Sequence, residues 1–264
     1  MNAPRTHAVG AVLASALLLA SACSTGPDES APPRPTIKGD VLRNGTTYDY
    51  DVAASPSELS GESDLTVSGT VKSWSDGRAF QEGSDLLSRT AVLEIVVDDS
   101  DGSVPTTTAS PSPDAEPSPQ TPAPSASTSS ATSSARSIFV EVNRGDIPLQ
   151  DGREVDRPKG QKTQLSVADL KAAAPIGARV VFMGGAATPD ASVKGARVTQ
   201  SWQPPVAGAT LLTPKIQGLL FENADGSYVS AIAEQSDVEG HGWPAAQGEK
   251  PAGDEFEELV DEVL

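Results

Sequence analysis

The sequence predicts an all-β fold, a small barrel carrying one short internal helix and one helix at its C-terminus. Three observations lead there. Apolar residues alternate with polar ones along 65–72 and 138–143, the pattern of strands with one buried face. β-Branched runs at 91–97 and 179–183 are bounded by acidic or glycine-containing stretches. Only 166–174 and 254–264 combine apolar residues at helical spacing with capping signals.

The chain opens with Arg5, an apolar run over 8–20, and the small residues Ala20, Ser21 and Ala22 before Cys23. A basic residue ahead of a short apolar stretch is secretory in type and too short to span a bilayer. Residues 24–35 are polar and Pro-rich, a tether rather than a folded element. Within 40–50, Asn44-Gly45 lies between extended-looking flanks and marks a two-residue hairpin turn. Asn44-Gly45-Thr46 also matches a glycosylation sequon, and the turn is the preferred reading.

A short helical turn is expected at 57–63. Strands follow at 65–72, with Trp74 closing its apolar side, at 91–97, ending on Asp98, Asp99 and Asp101, and at 138–143, ending before Gly145. Between the last two, residues 103–136 are largely Ser, Thr, Pro and Ala. Such a stretch buries too little apolar surface to offset the entropy of ordering, so it reads as a disordered insertion in a β-connection. Its composition resembles stretches that are O-glycosylated in exported proteins.

Ser166 can cap a helix over 166–174, with Asp169 completing the capping box and Val167, Leu170 and Ala174 on one face; Pro175 and Gly177 stop it. Residues 179–183 read as a buried strand closed by Gly184-Gly185, and 193–198 as a weaker strand. The runs 219–222 and 228–232 flank a hairpin loop at 223–226. Residues 234–253 read as a polar linker. In 254–264, Phe256, Leu259, Val260 and Val263 fall on one helical face, Asp254 and Glu257 resemble a capping box, and Asp261 and Glu262 oppose the macrodipole. A helix this short needs a surface to dock on. That surface is either its own barrel or a partner's groove, which makes these four apolar residues the candidate partner-binding set.

Strand, strand, strand, helix, strand, strand is the order of an OB-like barrel. The expected organisation is therefore a leader over 1–22, a lipidated tether over 23–35, a barrel over 36–233 interrupted by the insertion, the linker, and the terminal helix.

The stretch Leu18-Leu19-Ala20-Ser21-Ala22-Cys23 resembles the lipobox of bacterial lipoproteins, with Leu one position further upstream than the commonest pattern. The resemblance implies a diacylglyceryl group on the Cys23 thiol, cleavage just before it, and an acyl chain such as palmitate on the new amine. Ordinary cleavage after Ala20-Ser21-Ala22, leaving a free thiol, is the alternative. The placing of the chain's one Cys at the cleavage point favours the lipid. Each buried CH₂ contributes about 0.8 kcal/mol, and two chains make anchoring stable. The stretches Ser63-Asp64-Leu65-Thr66-Val67-Ser68-Gly69-Thr70-Val71 and Pro175-Ile176-Gly177-Ala178-Arg179-Val180-Val181-Phe182 resemble exported actinobacterial proteins of uncharacterised activity, and this likeness implies no chemistry.

The net charge is −17, and loss of 1–22 removes Arg5 and no acid, leaving −18. So acidic a chain is repelled by nucleic acid and by anionic head groups. Of two histidines, His7 lies in the leader and His241 in Gly240-His241-Gly242-Trp243, too few for a zinc-type site or a convincing catalytic base. No G-x-S-x-G elbow, G-x-x-x-x-G-K-[ST] loop or G-x-G-x-x-G fingerprint occurs. Asp98-Asp99-Ser100-Asp101-Gly102 suggests calcium but lacks the full ligand loop, and reads as a turn into the insertion. Trp74, Trp202 and Trp243 could stack on a sugar or peptide, although Trp74 suits the core and Trp202, before Pro204-Pro205, suits bracing a loop.

The functional expectation is a non-catalytic lipoprotein, anchored at the extracytoplasmic face of the cell membrane through Cys23, with a binding or envelope-assembly role. The partners expected are the membrane and an envelope protein or glycan, with no nucleic acid, cofactor or metal; the sequence sets no oligomeric state. The alternative is a small-ligand or glycan-binding module on a barrel face, and a third reading is a carboxylate-dependent hydrolase.

Overall fold

Long alternating strands need a closed sheet to bury one face, and the computed structural model of the chain shows one. It describes residues 33–43, 48–104, 136–155, 164–192, 195–240, 242–244 and 255–264. The strands are β1 (Leu65–Glu82), β2 (Leu86–Asp101), β3 (Ser137–Gln150), β4 (Arg153–Glu154), β5 (Arg179–Ala186), β6 (Ala196–Gln200), β7 (Leu211–Glu222) and β8 (Tyr228–Ser230). Short helices α1 (Gly39–Arg43), α2 (Pro56–Gly61), α3 (Val167–Ala173) and α4 (Glu255–Val263) accompany them.

β1 pairs antiparallel with β2 and β5, β2 with β3, and β5 with β7; a parallel pairing of β3 with β7 closes the ring. The barrel order is thus β1-β2-β3-β7-β5, with α3 between its third and fourth strands, and the OB-like expectation holds. Sharp bending at two bulges requires glycine. A Cβ on Gly69 would lie 2.2 Å from the Val96 carbonyl oxygen, and one on Gly184 2.3 Å from that of Thr213.

Inside the barrel, Val71, Trp74, Leu93, Ile95, Val140 and Phe182 interlock, and Leu170 of α3 joins them. The capping box of Ser166 and Asp169 forms as expected. Trp74 belongs to this core, its indole N–H donating to the Ala174 carbonyl at 2.9 Å. β5 is buried on both faces, which explains the unbroken apolar run Val180-Val181-Phe182-Met183. Its outward residues Val181 and Met183 meet Leu59, Tyr228, Trp243, Phe256 and Leu259 in a second cluster.

Several sequence expectations change. Residues 39–43, read as an extended flank of a hairpin, form α1: Val41 and Leu42 N–H groups both bond the Lys38 carbonyl, and Leu42 is buried. Tertiary burial overrides local turn chemistry there, and Asn44-Gly45 lies outside the described residues. β2 runs on through Asp98 at a bulge to Asp99 and Asp101, which pair with Ser68 and Thr66 of β1 rather than forming a turn. β3 continues past Gly145 to Gln150, held by β2. The stretch read as a linker contributes Val238 and Trp243 to the second core cluster. The segment 105–135, most of the expected insertion, lies outside the described residues.

α4 docks on its own barrel. Phe256, Leu259 and Val263 are buried in the second cluster and Val260 packs against its edge. The Arg179 guanidinium lies 4.9 Å from the Phe256 ring centroid and pairs with Glu257. Arg179 also lies 3.5 Å from the buried Glu222 carboxylate, which Arg34 approaches at 2.9 Å. The four apolar residues of α4 therefore serve cohesion, not an open partner groove.

Two outcomes follow from this docking. Phe256→Ala is expected to lower the unfolding free energy by about 3–5 kcal/mol, read by urea denaturation. The Arg179 hydrogen bond, against an opposing effect of burial, holds the Glu257 carboxyl below its ordinary value. That contact contributes fully above about pH 4.3 and is lost as pH falls through the lowered value. Trp243 fluorescence, reporting the cluster under α4, should shift in that acid range, and Glu257→Gln should remove this part of the pH dependence.

Candidate functional site

The outward face of β1, β2 and β3 carries residues that strand pairing places in rows. Ser73 faces Glu94, which faces Phe139; one row on, Ser75 faces Val92, which faces Glu141. In most sheets with one core such a face meets water. Here the chain returns across it through 187–192 and 195–210. β6 pairs with the far half of β1, the Gln200 amide donates to the Gly77 carbonyl, and Trp202 comes to rest on Phe139 with ring centroids 5.5 Å apart. Val92, Phe139 and Leu211 are buried beneath Ala187, Trp202 and Ala209 as a third, small cluster.

A buried ion pair ties this strap down. A bulge in β1 after Asp76 turns Arg78 onto the outward face, where its backbone N–H donates to the Thr90 hydroxyl at 2.7 Å. The guanidinium is 7% exposed and grips the Glu141 carboxylate, itself 9% exposed, through two parallel bonds from Nε and Nη2. Its Nη1 reaches the Thr188 carbonyl at 2.6 Å and Asp190 at 3.1 Å, both on the strap. The hydrogen bond to Glu141 is the main cause that raises the Arg78 pKa above its already high value, so the group stays charged although buried. A hydrogen bond from Ser201 leads in lowering the Asp190 pKa, with Arg78 adding to it against some burial.

Between the rows and the strap an open groove of about 340 Å³ remains. Its floor is Ser73, Ser75, Glu94 and Phe139, and Asp76 with Gly77 forms one wall. Gln200, Ser201, Trp202, Gln203 and Pro205 form the other. Trp202 also borders a second cleft of about 360 Å³ on its far side, floored by Arg78. Both groove carboxylates are engaged: Glu94 with Lys72 at 2.8 Å and with the Ser73 hydroxyl at 2.9 Å, and Asp76 with Arg144. Burial acts to raise the Glu94 pKa, but the bonds from Lys72 and Ser73 and the Lys72 charge outweigh it, and the net shift is downward.

The other sequence candidates fall elsewhere. Cys23 and His241 lie outside the described residues. Trp243 is buried, with its N–H donating to the Ala53 carbonyl at 3.3 Å, and is no platform. Trp202 braces its loop as expected and borders the groove as well. Among the described residues no group of three or more His, Cys, Asp or Glu is arranged to hold a metal ion. Sequence reasoning missed Arg78, Glu141 and the two glutamines. Glu141 alternates with core residues and so reads as solvated, and its partner sits 63 residues away.

Removing one partner of the buried pair leaves the other charge uncompensated. Arg78→Met or Glu141→Leu alone is expected to cost about 3–5 kcal/mol, while the double variant stays close to wild type or exceeds it; chemical denaturation of all four proteins checks this. Comparison of the chain with known protein families, with curated proteins and with solved structures finds no match.

Proposed function

We propose that this chain is a non-catalytic binding protein, held at the extracytoplasmic face of the cell membrane by lipid on Cys23, which engages an envelope component through the barrel face beside Trp202. The observation that carries the binding role is the groove itself. A preformed cleft with convergent polar groups around a fixed aromatic ring is the usual form of a small-ligand site. The docking of α4 on its own barrel supports the groove over that helix as the contact surface. A carboxylate-dependent hydrolase would need one carboxyl held neutral as an acid. The lowered pKa of Glu94 and the pairing of Asp76 with Arg144 argue against that role.

The membrane placement rests on the leader and the lipobox-like stretch ending at Cys23. Within the described residues no helix is long and apolar enough to cross a membrane. Cys23→Ala is expected to move the protein from the membrane fraction to the medium, and retention in the membrane would defeat the anchor. The released Cys23→Ala protein then serves as a soluble probe. Added to isolated cell envelopes, it should co-sediment with them, and adding Trp202→Ala should abolish this. Equal sedimentation with and without the indole would remove the groove from the binding role.

A further inference from the structure

We infer that the groove beside Trp202 takes a saccharide without negative charge, neutral or amine-bearing, and rejects anionic sugars. This rests on the binding role proposed above and names its ligand class. The polar side chains of the groove are the hydroxyls of Ser73, Ser75 and Ser201, the amides of Gln200 and Gln203, and the carboxylates of Asp76 and Glu94. Hydroxyls and amides each carry donor and acceptor atoms, and carboxylates accept. The Ser73 hydroxyl already donates to Glu94 and the Gln200 amide to the Gly77 carbonyl, so Ser73 faces a ligand as an acceptor and Gln200 keeps its carbonyl and second N–H. A set of this kind, closely spaced, matches a ligand whose every carbon bears a hydroxyl that donates and accepts. The indole of Trp202 and the ring of Pro205 supply apolar surface for the C–H face of a sugar ring.

Charge decides between saccharide classes. The groove presents two carboxylates and no basic lining residue. The cations that pair with these carboxylates, Lys72 with Glu94 and Arg144 with Asp76, are thereby engaged. Asp76 remains 69% exposed and so available to a ligand on its solvent side. An anionic sugar would have to compete with Glu94 and Asp76 for Lys72 and Arg144, in a chain of net charge −17. An ammonium would gain both Asp76 and the neighbourhood of an indole face. The ring is also held in place before any ligand arrives. Phe139 lies under Trp202, and the Arg78 bonds to Thr188 and Asp190 fix the strap that carries it, so little ordering is left for binding to supply.

The test uses the full-length Cys23→Ala protein with three probes: the N-acetylglucosamine trimer, the glucosamine trimer and the galacturonic acid trimer. Indole fluorescence and calorimetry are read together. Trp74 and Trp243 are buried, which leaves Trp202 as the fluorophore at the groove. Saturable signals are expected with the first two probes and none with the third. Trp202→Ala should weaken both by about tenfold or more, and Asp76→Asn should weaken the glucosamine trimer alone. Trp202→Ala could loosen the strap, so Ser75→Leu, at an exposed floor position, fills part of the groove with Trp202 and the strap contacts left in place and should also weaken binding. No saturable signal from either non-anionic trimer overturns the inference, as does equal binding of the galacturonate trimer, or binding indifferent to both Trp202→Ala and Ser75→Leu. If envelope sedimentation still depends on Trp202 while no trimer binds, the binding role stands and the saccharide falls. If both are lost, both readings fall.

Discussion

Closure of the sheet depends on a narrow contact, Phe139 opposite Leu211 and Val140 opposite Leu212, where β3 and β7 run parallel. That pairing removes the free edges of both strands and separates an inner face from an outer one along every strand of the ring. The inner residues are covered by α3 together with Ile37 and with Leu42 of α1. The outer residues face a different problem, because β5 and β7 carry large apolar side chains on both faces. Burying the second set calls for α2, α4, Val238 and Trp243 on the outside of the barrel. The terminal helix, which by its length needs a surface to dock on, is thus part of the solution to a barrel built from doubly apolar strands.

On the opposite side the outer face of β1, β2 and β3 is mostly polar, with Phe139 and Val92 as exceptions. Covering those two with a returning segment carries Arg78 and Glu141 out of water as well. A buried ion pair contributes little net stability, since desolvation offsets most of the attraction, but its geometry is demanding. Two parallel bonds to Glu141 and further bonds to Thr188 and Asp190 allow only one seating of the strap. The groove exists because that seating leaves a gap between Trp202 and the first strand.

The two ends of the folded region meet at the far end of β7. Arg34, near the end of the stretch read from the sequence as a tether, and Arg179, beneath α4, both address the Glu222 carboxylate, whose side chain is only 3% exposed. Ile37 N–H donates to the Asn223 side chain at 3.1 Å and Lys38 N–H to the Ala173 carbonyl at 3.0 Å. Residues 34–38 are therefore stitched to the barrel by backbone bonds as well as charge.

The sequence by itself determined the strand, strand, strand, helix, strand, strand order from which the barrel follows. It also determined the Ser166–Asp169 cap, because alternation and capping are local, readable within a few residues. Those signals marked the strand interiors but not their lengths, since β2 and β3 extend only where a neighbour supplies hydrogen bonds. Trp202 was legible as a loop brace and as an aromatic of interest. The groove beside it was not, because its floor comes from residues around 73–94 and 139 and its wall from 200–205. The tertiary structure alone decided that Glu141 is buried and paired with Arg78, that 39–43 is helical, and that α4 lies on its own barrel. Each of these outcomes depends on contacts between residues far apart in the chain, where burial outweighs local preference.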